Sequence, residues 1–138
     1  MNFTQLPAAL LALAAAAMSQ LGYGQSGDIG KREYEARCAV CHGIQGKGDG
    51  AYASMLNIPI PDLTTLSRRS NGVYPFVRIY EIIDGTQMIR AHGSAEMPIW
   101  GDIYKYVAGD TEPYRAEAFA RARILALTEY VYRLQARN

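Results

Sequence analysis

The residues with the clearest chemistry lie in the string Cys38-Ala39-Val40-Cys41-His42. Two cysteines three positions apart on a helix share a face, so both thiols can reach the vinyl groups of one porphyrin and bind it as thioethers. An imidazole at the next position is then aimed at the iron. Because C-x-x-C-H is the attachment signature of a c-type haem, the string predicts one covalent haem c held by Cys38 and Cys41, with His42 as an axial ligand.

Other sites also use a C-x-x-C pair, namely thioredoxin-like redox centres, zinc sites and short-loop disulfides. The chain has only two cysteines, which excludes a four-thiolate zinc site. A thioredoxin-like centre needs alternating strands and helices around the pair, whereas this pair follows a helical pattern and precedes a Gly-rich stretch. Thioether formation would consume both cysteines, so no structural disulfide is expected.

A haem iron has a second axial position, which a downstream Met or His can fill. Met97 is the favoured candidate, since it lies 55 residues after His42 and is followed by Pro98, which restrains the backbone that carries the thioether. The remaining candidates are Met55, Met88 and His92. A vacant second position would instead suit a haem enzyme or a gas-binding protein.

In the part of the sequence that follows residue 27, helical patterns lie at the beginning and at the end. Asp28 is placed to cap a helix over residues 29–41. The stretch 113–137 predicts a long helix with one apolar stripe, formed by Ile124, Leu127, Val131 and Leu134. These two helices are the elements expected to position the cysteine motif.

Shorter helices are predicted between them. Asp62 or Thr64 can cap a helix that ends near Arg69, and residues 75–84 form another that Gly85 closes. On the latter helix, one face is predicted to contain Val77, Tyr80 and Ile83.

Loops are predicted for the rest of the chain. Residues 43–50 are Gly-rich, but no strand precedes them and no Walker pattern is present, so a phosphate-binding loop is not expected. The prolines of residues 58–61 impose an extended backbone. Residues 86–110 predict a long loop with at most one turn at 103–107, and so long a loop in a small domain indicates that it wraps something.

Together these features resemble the class I c-type cytochromes, which are small all-α monohaem domains, and the resemblance extends from Asp28 to the end of the chain. The resembling residues of the first helix are Gly30-x-x-x-Tyr34-x-x-x-Cys38-x-x-Cys41-His42, and those of the last helix are Leu127 and Tyr130. The resemblance implies that the amino- and carboxy-terminal helices cross and that loops enclose the haem. A glycine at the crossing would allow close approach, and the two tyrosines would fill it.

A bacterial branch of this family is similar in further detail. The similar strings are residues 43–50, Pro61-Asp62-Leu63-Thr64 and Met97-Pro98-Ile99-Trp100-Gly101, the last of which implies that Met97 is the axial methionine. Ala51 stands where this branch commonly has proline. In the broader family a proline carbonyl accepts a hydrogen bond from the proximal imidazole. The sequence leaves open whether that acceptor lies near Ala51 or near residues 59–61.

With His42 and Met97 both bound to iron, the resemblance implies an electron carrier and not an enzyme. It could be a periplasmic carrier or the haem subunit of a dehydrogenase or respiratory chain, with a donor and an acceptor protein as partners. The identities of these partners, the reduction potential and the oligomeric state do not follow from the residues. A haem enzyme, a gas-binding protein or a haem-free thiol oxidoreductase are the alternatives.

The amino-terminal segment predicts export. Residues 1–24 contain no charged side chain, and the Ala/Leu run 6–18 has the length of a signal-peptide core, although no Lys or Arg precedes it. We therefore expect a signal peptide at 1–24, a cytochrome domain at 25–138 and a periplasmic location. Membrane association is not expected unless the segment is retained, because the run is shorter than a bilayer span. A net charge of +1 without a basic cluster argues against nucleic-acid binding.

Overall fold

The computed structural model describes residues 27–87, 97–109 and 112–135. Within these ranges the chain forms six α-helices and no β-strand, which confirms the predicted all-α class. The helices are α1 (Ile29–Arg37), α2 (Ala39–His42), α3 (Leu66–Arg69), α4 (Phe76–Asp84), α5 (Trp100–Ala108) and α6 (Pro113–Arg133). Two 3-10 helices occupy Ala53–Met55 and Leu63–Thr65. In the part of the chain described, no helix has the length and apolar character needed to cross a membrane.

The predicted helix over 29–41 is present but is divided at Cys38. Asp28 caps it as expected, because its carboxylate accepts a hydrogen bond from the Lys31 amide at 3.0 Å. Cys38 has φ −104°, wider than in a regular helix, and separates α1 from α2. Helical hydrogen bonding resumes immediately, since the His42 amide donates to the Cys38 carbonyl at 2.9 Å.

The crossing of α1 with α6 depends on Gly30. A Cβ added there would lie 2.1 Å from the Ala126 carbonyl oxygen, so only a hydrogen on Cα allows the two backbones this separation. One turn further on, the rings of Tyr34 and Tyr130 meet with centroids 5.1 Å apart. The predicted helix crossing is therefore confirmed.

The core lies around α6, which packs against α1, α4 and α5. Three residues of its predicted stripe are buried, namely Ile124, Leu127 and Val131, each of which stabilises the fold by about 1.5–3 kcal/mol. Thr128 is also fully buried within this apolar surface, where its hydroxyl donates to the Ile124 carbonyl at 2.8 Å. The other buried core residues are Tyr34, Ala39, Ile79, Ile83, Trp100, Tyr104 and Ala120.

The carboxy end of α6 holds the segment between the 3-10 helix at Leu63–Thr65 and α4. The side chain of Gln135 accepts from the Ser67 amide at 2.9 Å and donates to the Leu63 carbonyl at 2.8 Å. Tyr74 donates its hydroxyl to the Thr128 carbonyl at 3.0 Å. These contacts fix a stretch of backbone that has little regular structure of its own.

The prediction of a long loop over 86–110 is wrong at its carboxy-terminal end, where residues 100–108 form α5. Gly101 suggested a helix breaker, but it lies inside the helix, where a Cβ would come within 2.6 Å of the Asp84 carbonyl oxygen of α4. The glycine thus serves close helix packing. Trp100 and Tyr104, which are 8% and 1% exposed, provide the buried face of α5.

The predicted face of α4 is also partly wrong. Val77 is 68% exposed, and the buried residues are Ile79 and Ile83, which are spaced four apart. Pro75 is the N-cap residue and Gly85 ends the helix in the left-handed conformation, so the boundaries agree with the prediction to within one residue.

A substitution at the helix crossing tests its geometry. Gly30→Ala should lower the free energy of unfolding of the mature protein by about 1–3 kcal/mol, because the added methyl group meets backbone that cannot rotate away. Gly27→Ala is the matched control, since a Cβ there meets only the far end of the flexible Arg32 side chain. Chemical denaturation of both variants measures the difference, and equal stabilities would contradict the proposed close approach.

Candidate functional site

The cysteine motif lies where α1 ends and α2 begins. Cys38 is the residue between the helices, while Cys41 and His42 complete the single turn of α2. The Cys41 amide donates to the Cys38 carbonyl at 3.1 Å, so the two residues are one turn apart as the spacing predicted. Both thiols are free and both side chains are only partly buried.

The Gly-rich stretch after the motif terminates α2. The amides of Gly48, Gly50 and Tyr52 donate to the carbonyls of His42, Cys41 and Val40, at distances of 2.8, 3.1 and 2.9 Å respectively. These are the carbonyls that the end of a helix leaves without partners. The amides of Gly48 and Gly50 are thus used to complete the end of α2.

This loop also brings the proline-containing segment beneath the motif. Gly48 has φ +80°, and a Cβ on it would lie 2.4 Å from the Ile60 carbonyl oxygen. The Leu63 amide donates to the Gly46 carbonyl at 2.7 Å, which fixes the segment from its other end. Residues 59–61, one of the two predicted locations of the acceptor for His42, are therefore held against the motif.

The His42 ring is oriented within this enclosure. Its Nδ1 is buried and forms no hydrogen bond of normal geometry with any described residue. Burial lowers the pKa of His42, and the nearby backbone of Pro61 opposes this shift by raising it. The sequence offered two segments as the location of the hydrogen-bond acceptor for this imidazole. The structure brings the segment that contains Pro61 close to it.

Cys38 is a poor candidate for a reactive thiolate. Burial raises the pKa of its thiol to about 12, with a smaller contribution in the same direction from Glu33. Attacking thiols in dithiol oxidoreductases have lowered pKa values, close to ambient pH or below it. This environment does not favour Cys38 as the attacking thiol of a dithiol oxidoreductase.

Tyr34 connects the helix crossing to the motif. Its ring packs on Tyr130, and its buried hydroxyl donates to the carbonyl of Gly43, the residue after His42, at 2.7 Å. Burial raises the pKa of Tyr34, so the hydroxyl stays protonated and remains a donor. The sequence predicted the aromatic packing, but it gave no signal for this hydrogen bond.

The candidate second ligands differ in their surroundings. Met97 directly precedes the Pro98-Ile99 dipeptide that leads into α5, and it is 37% exposed. Met55 ends the 3-10 helix Ala53–Met55 and is 74% exposed. Met88 and His92 lie outside the described residues, as does the predicted signal peptide at 1–24.

A cluster of charged and aromatic side chains adjoins Cys38 on the side of α1. Glu33 accepts hydrogen bonds from Arg37 Nε at 2.9 Å and from the Tyr104 hydroxyl at 2.8 Å, and it pairs with Arg123 of α6. Its side chain is only 12% exposed. The sequence pattern did not indicate this cluster, because a Glu and an Arg four residues apart usually form an exposed pair on one helix.

Glu33 is ionised in this cluster. Burial raises the pKa of its carboxyl, but hydrogen bonds from Tyr104 and Arg37 and the charge of Arg123 together lower it below its ordinary value. The carboxylate thus joins α1, α5 and α6 at one point.

The family to which the chain belongs follows from comparison with family models. A model described as Cytochrome c matches residues 28–102, which is more than half of the chain and includes both the cysteine motif and Met97. The chain belongs to the cytochrome c family. No curated protein and no solved structure matches this cytochrome closely enough to indicate a relationship.

Family membership confirms the cofactor and the general activity. Members of the cytochrome c family bind covalently attached haem c and are in general electron carriers, so this cytochrome takes part in haem-based electron transfer. The residues of the motif fit such a group. Two free, partly exposed thiols one turn apart precede an imidazole whose Nδ1 is enclosed by protein.

The ionised state of Glu33 predicts a pH dependence of stability. A carboxyl whose pKa is lowered by folding stabilises the protein above its unfolded value of 4.5, and this contribution is lost as the pH falls through the lower folded pKa. Glu33→Gln should therefore lose less free energy of unfolding than the wild type between pH 7 and pH 3. At about 1.4 kcal/mol per pH unit, the range from pH 4.5 to pH 3 sets an upper limit of about 2 kcal/mol on the difference.

Glu35→Gln is the matched control for that measurement. Glu35 lies on the same helix but is exposed, and its one ion pair among the described residues is with Lys31, whose Nζ lies 3.7 Å from Glu35 Oε1. Denaturant unfolding of the haem-containing proteins at both pH values gives the comparison. If the free energy of unfolding of Glu33→Gln depended on pH as that of the wild type does, the assignment of an ionised, structural carboxylate would be contradicted.

Proposed function

We propose that this cytochrome is an exported electron carrier with a six-coordinate haem held by Cys38, Cys41, His42 and Met97. The observation that carries the proposal is the convergence of the two free thiols and the enclosed imidazole within one turn of helix, inside the span that matches the family. Bound haem c supplies a one-electron couple between ferric and ferrous iron.

In this proposal Cys38 and Cys41 form the two thioether bonds. Each sulfur would bond to one carbon of a porphyrin vinyl group and the thiol hydrogen to the other, so no further reactant would be consumed. Because α2 is a single turn whose carbonyls accept hydrogen bonds from the loop that follows it, the backbone that carries the two sulfur atoms is held in place.

His42 provides the first axial ligand through Nε2. Nδ1 is the nitrogen enclosed by protein, and a protonated Nδ1 beside the Pro61 backbone leaves the lone pair of Nε2 available for iron. Met97 provides the second ligand. Its thioether favours the ferrous state, so the reduction potential is expected to exceed that of a haem with two imidazole ligands.

With both axial positions filled by side chains, no position is left for a substrate, and electrons move without bond formation to a partner. Val40 and Ile44, which flank Cys41 and His42, are 39% and 62% exposed. A second protein can therefore approach the motif closely, as the small interfaces of redox encounters require. We propose a dehydrogenase or another carrier as donor, and an oxidase or reductase as acceptor.

Export is proposed from residues 1–24, which have the composition of a secretory signal. A periplasmic location would agree with covalent haem attachment outside the cytoplasm. In that location the protein would act as a free carrier or as the haem subunit of a respiratory complex.

The covalent attachment is tested by producing the full chain in a bacterium able to mature c-type cytochromes. The mature protein should retain haem stain on a denaturing gel, and its mass should exceed that of the processed polypeptide by one haem. The double variant Cys38→Ala/Cys41→Ala should lose the stain entirely, since only a thioether survives denaturation. A wild-type mass equal to that of the bare polypeptide would contradict the proposal.

The second ligand is tested by the absorption spectrum of the ferric protein, in which methionine ligation gives a weak long-wavelength band. Met97→Ala should abolish this band and allow carbon monoxide to bind the ferrous protein readily. Met55→Ala is the matched control, because this exposed methionine is not assigned to iron and its loss should change neither property. Retention of the band in Met97→Ala would overturn the assignment and favour one of the other candidate ligands.

A further inference from the structure

The segment that carries Met97 is tightly held on its carboxy-terminal side. Ile99 packs against Gly85 so closely that a Cβ on the glycine would lie 2.4 Å from Ile99 Cγ2. Gly101 contacts Asp84 in the same manner. Both contacts fix the start of α5 to the end of α4, within four residues of Met97.

A third contact joins this segment to the helix that precedes the cysteine motif. The guanidinium carbon of Arg37 lies 5.7 Å from the centre of the Trp100 ring and 5.5 Å from that of Tyr104. Both distances are within the range of a cation–π interaction. Trp100 is three residues after Met97, and Arg37 directly precedes Cys38, so one cation bridges the two sides of the proposed haem site.

Glu33 holds Arg37 in this position. Its Oε2 accepts from Arg37 Nε at 2.9 Å and from the Tyr104 hydroxyl at 2.8 Å, so one carboxylate oxygen orients both the guanidinium and one of the rings beneath it. Because Trp100 and Tyr104 are almost fully buried, the rings are shielded from water on the side away from the cation. The Arg37 side chain is itself 36% exposed, so the contact lies between the exposed and the fully desolvated cases.

We propose that Arg37 is a positioning residue for the second axial ligand, which it acts on by fixing Trp100 and hence the backbone of Met97. This inference rests on the proposed function, in which Met97 binds the haem iron. A neutral thioether is a weak ligand that competes with water and added bases. The fraction of protein with Met97 bound to iron is therefore larger when the free segment already has little conformational freedom, because less freedom is lost on binding.

In physical terms, the protein exchanges between a form with Met97 bound and a form with it released. An exogenous ligand binds only the released form, and its apparent affinity is reduced by the fraction of that form. Loss of the Arg37 contact with two aromatic rings should raise the released fraction about tenfold. The fold as a whole should change little, because the packing of α6 on α1, α4 and α5, which forms the core, is retained.

The experiment measures imidazole binding to the ferric, haem-containing protein by optical titration. Arg37→Gln should bind imidazole about tenfold more tightly than the wild type and should lose the methionine band at a lower temperature than its helical circular dichroism. Arg37→Lys, which keeps a cation over the rings, should recover part of the wild-type affinity. Trp100→Phe weakens the same contact from the other side and should also bind imidazole more tightly.

Arg121→Gln is the matched control, because it removes an arginine that pairs with Glu117 four residues earlier on the same helix and is 68% exposed. It should bind imidazole as the wild type does. The inference is overturned if Arg37→Gln and Trp100→Phe retain wild-type imidazole affinity, or if Arg121→Gln matches Arg37→Gln. If Met97→Ala leaves both the methionine band and the imidazole affinity unchanged, the proposed ligation by Met97 is wrong, and the inference about Arg37 is wrong with it. If only Met97→Ala alters them, this inference alone fails.

Discussion

The close approach of α1 to α6 at Gly30 is the constraint on which the rest of the structure depends. With the α1 backbone almost touching the Ala126 carbonyl, the helices meet without an intervening side chain. Tyr34 then meets Tyr130, Glu33 meets Arg123 and Asp28 meets Arg133. These contacts join α1 and its N-cap to α6 along the helix that leads into Cys38, so the packing of the two terminal helices determines the direction in which the motif is presented.

Below that crossing, the site is built mainly from backbone hydrogen bonds. The Gly-rich loop binds the carbonyls of α2, and the 59–61 segment packs beneath the loop and reaches the His42 imidazole. The aromatic and charged cluster around Glu33 secures the opposite side. A short helix of four residues would be unstable in isolation. Here its ends are bonded on one side to α1 and on the other to the loop, so it needs little intrinsic stability.

Much of this arrangement could be predicted from local patterns. The motif, the Asp28 cap, the Gly43–Gly50 loop and the apolar stripe of α6 each depend on residues near one another in sequence. The break at Cys38 could not be predicted, because no proline or glycine marks it. Helix α5 was missed since Gly101 suggests a breaker when its packing partner, Asp84, is unknown. In the Glu33 cluster, Tyr104 and Arg123 lie 71 and 90 positions after Glu33, and no spacing rule relates them to it.

The two functions of the Tyr34 side chain have a wider consequence. Its ring lies on α6 through Tyr130, and its hydroxyl holds the peptide group that follows the imidazole. A shift of the last helix is therefore transmitted to the backbone beside the C-x-x-C-H motif through a single rigid phenol. Sequence changes along α6 therefore have a direct mechanical route to the motif, even where they lie far from it in the chain.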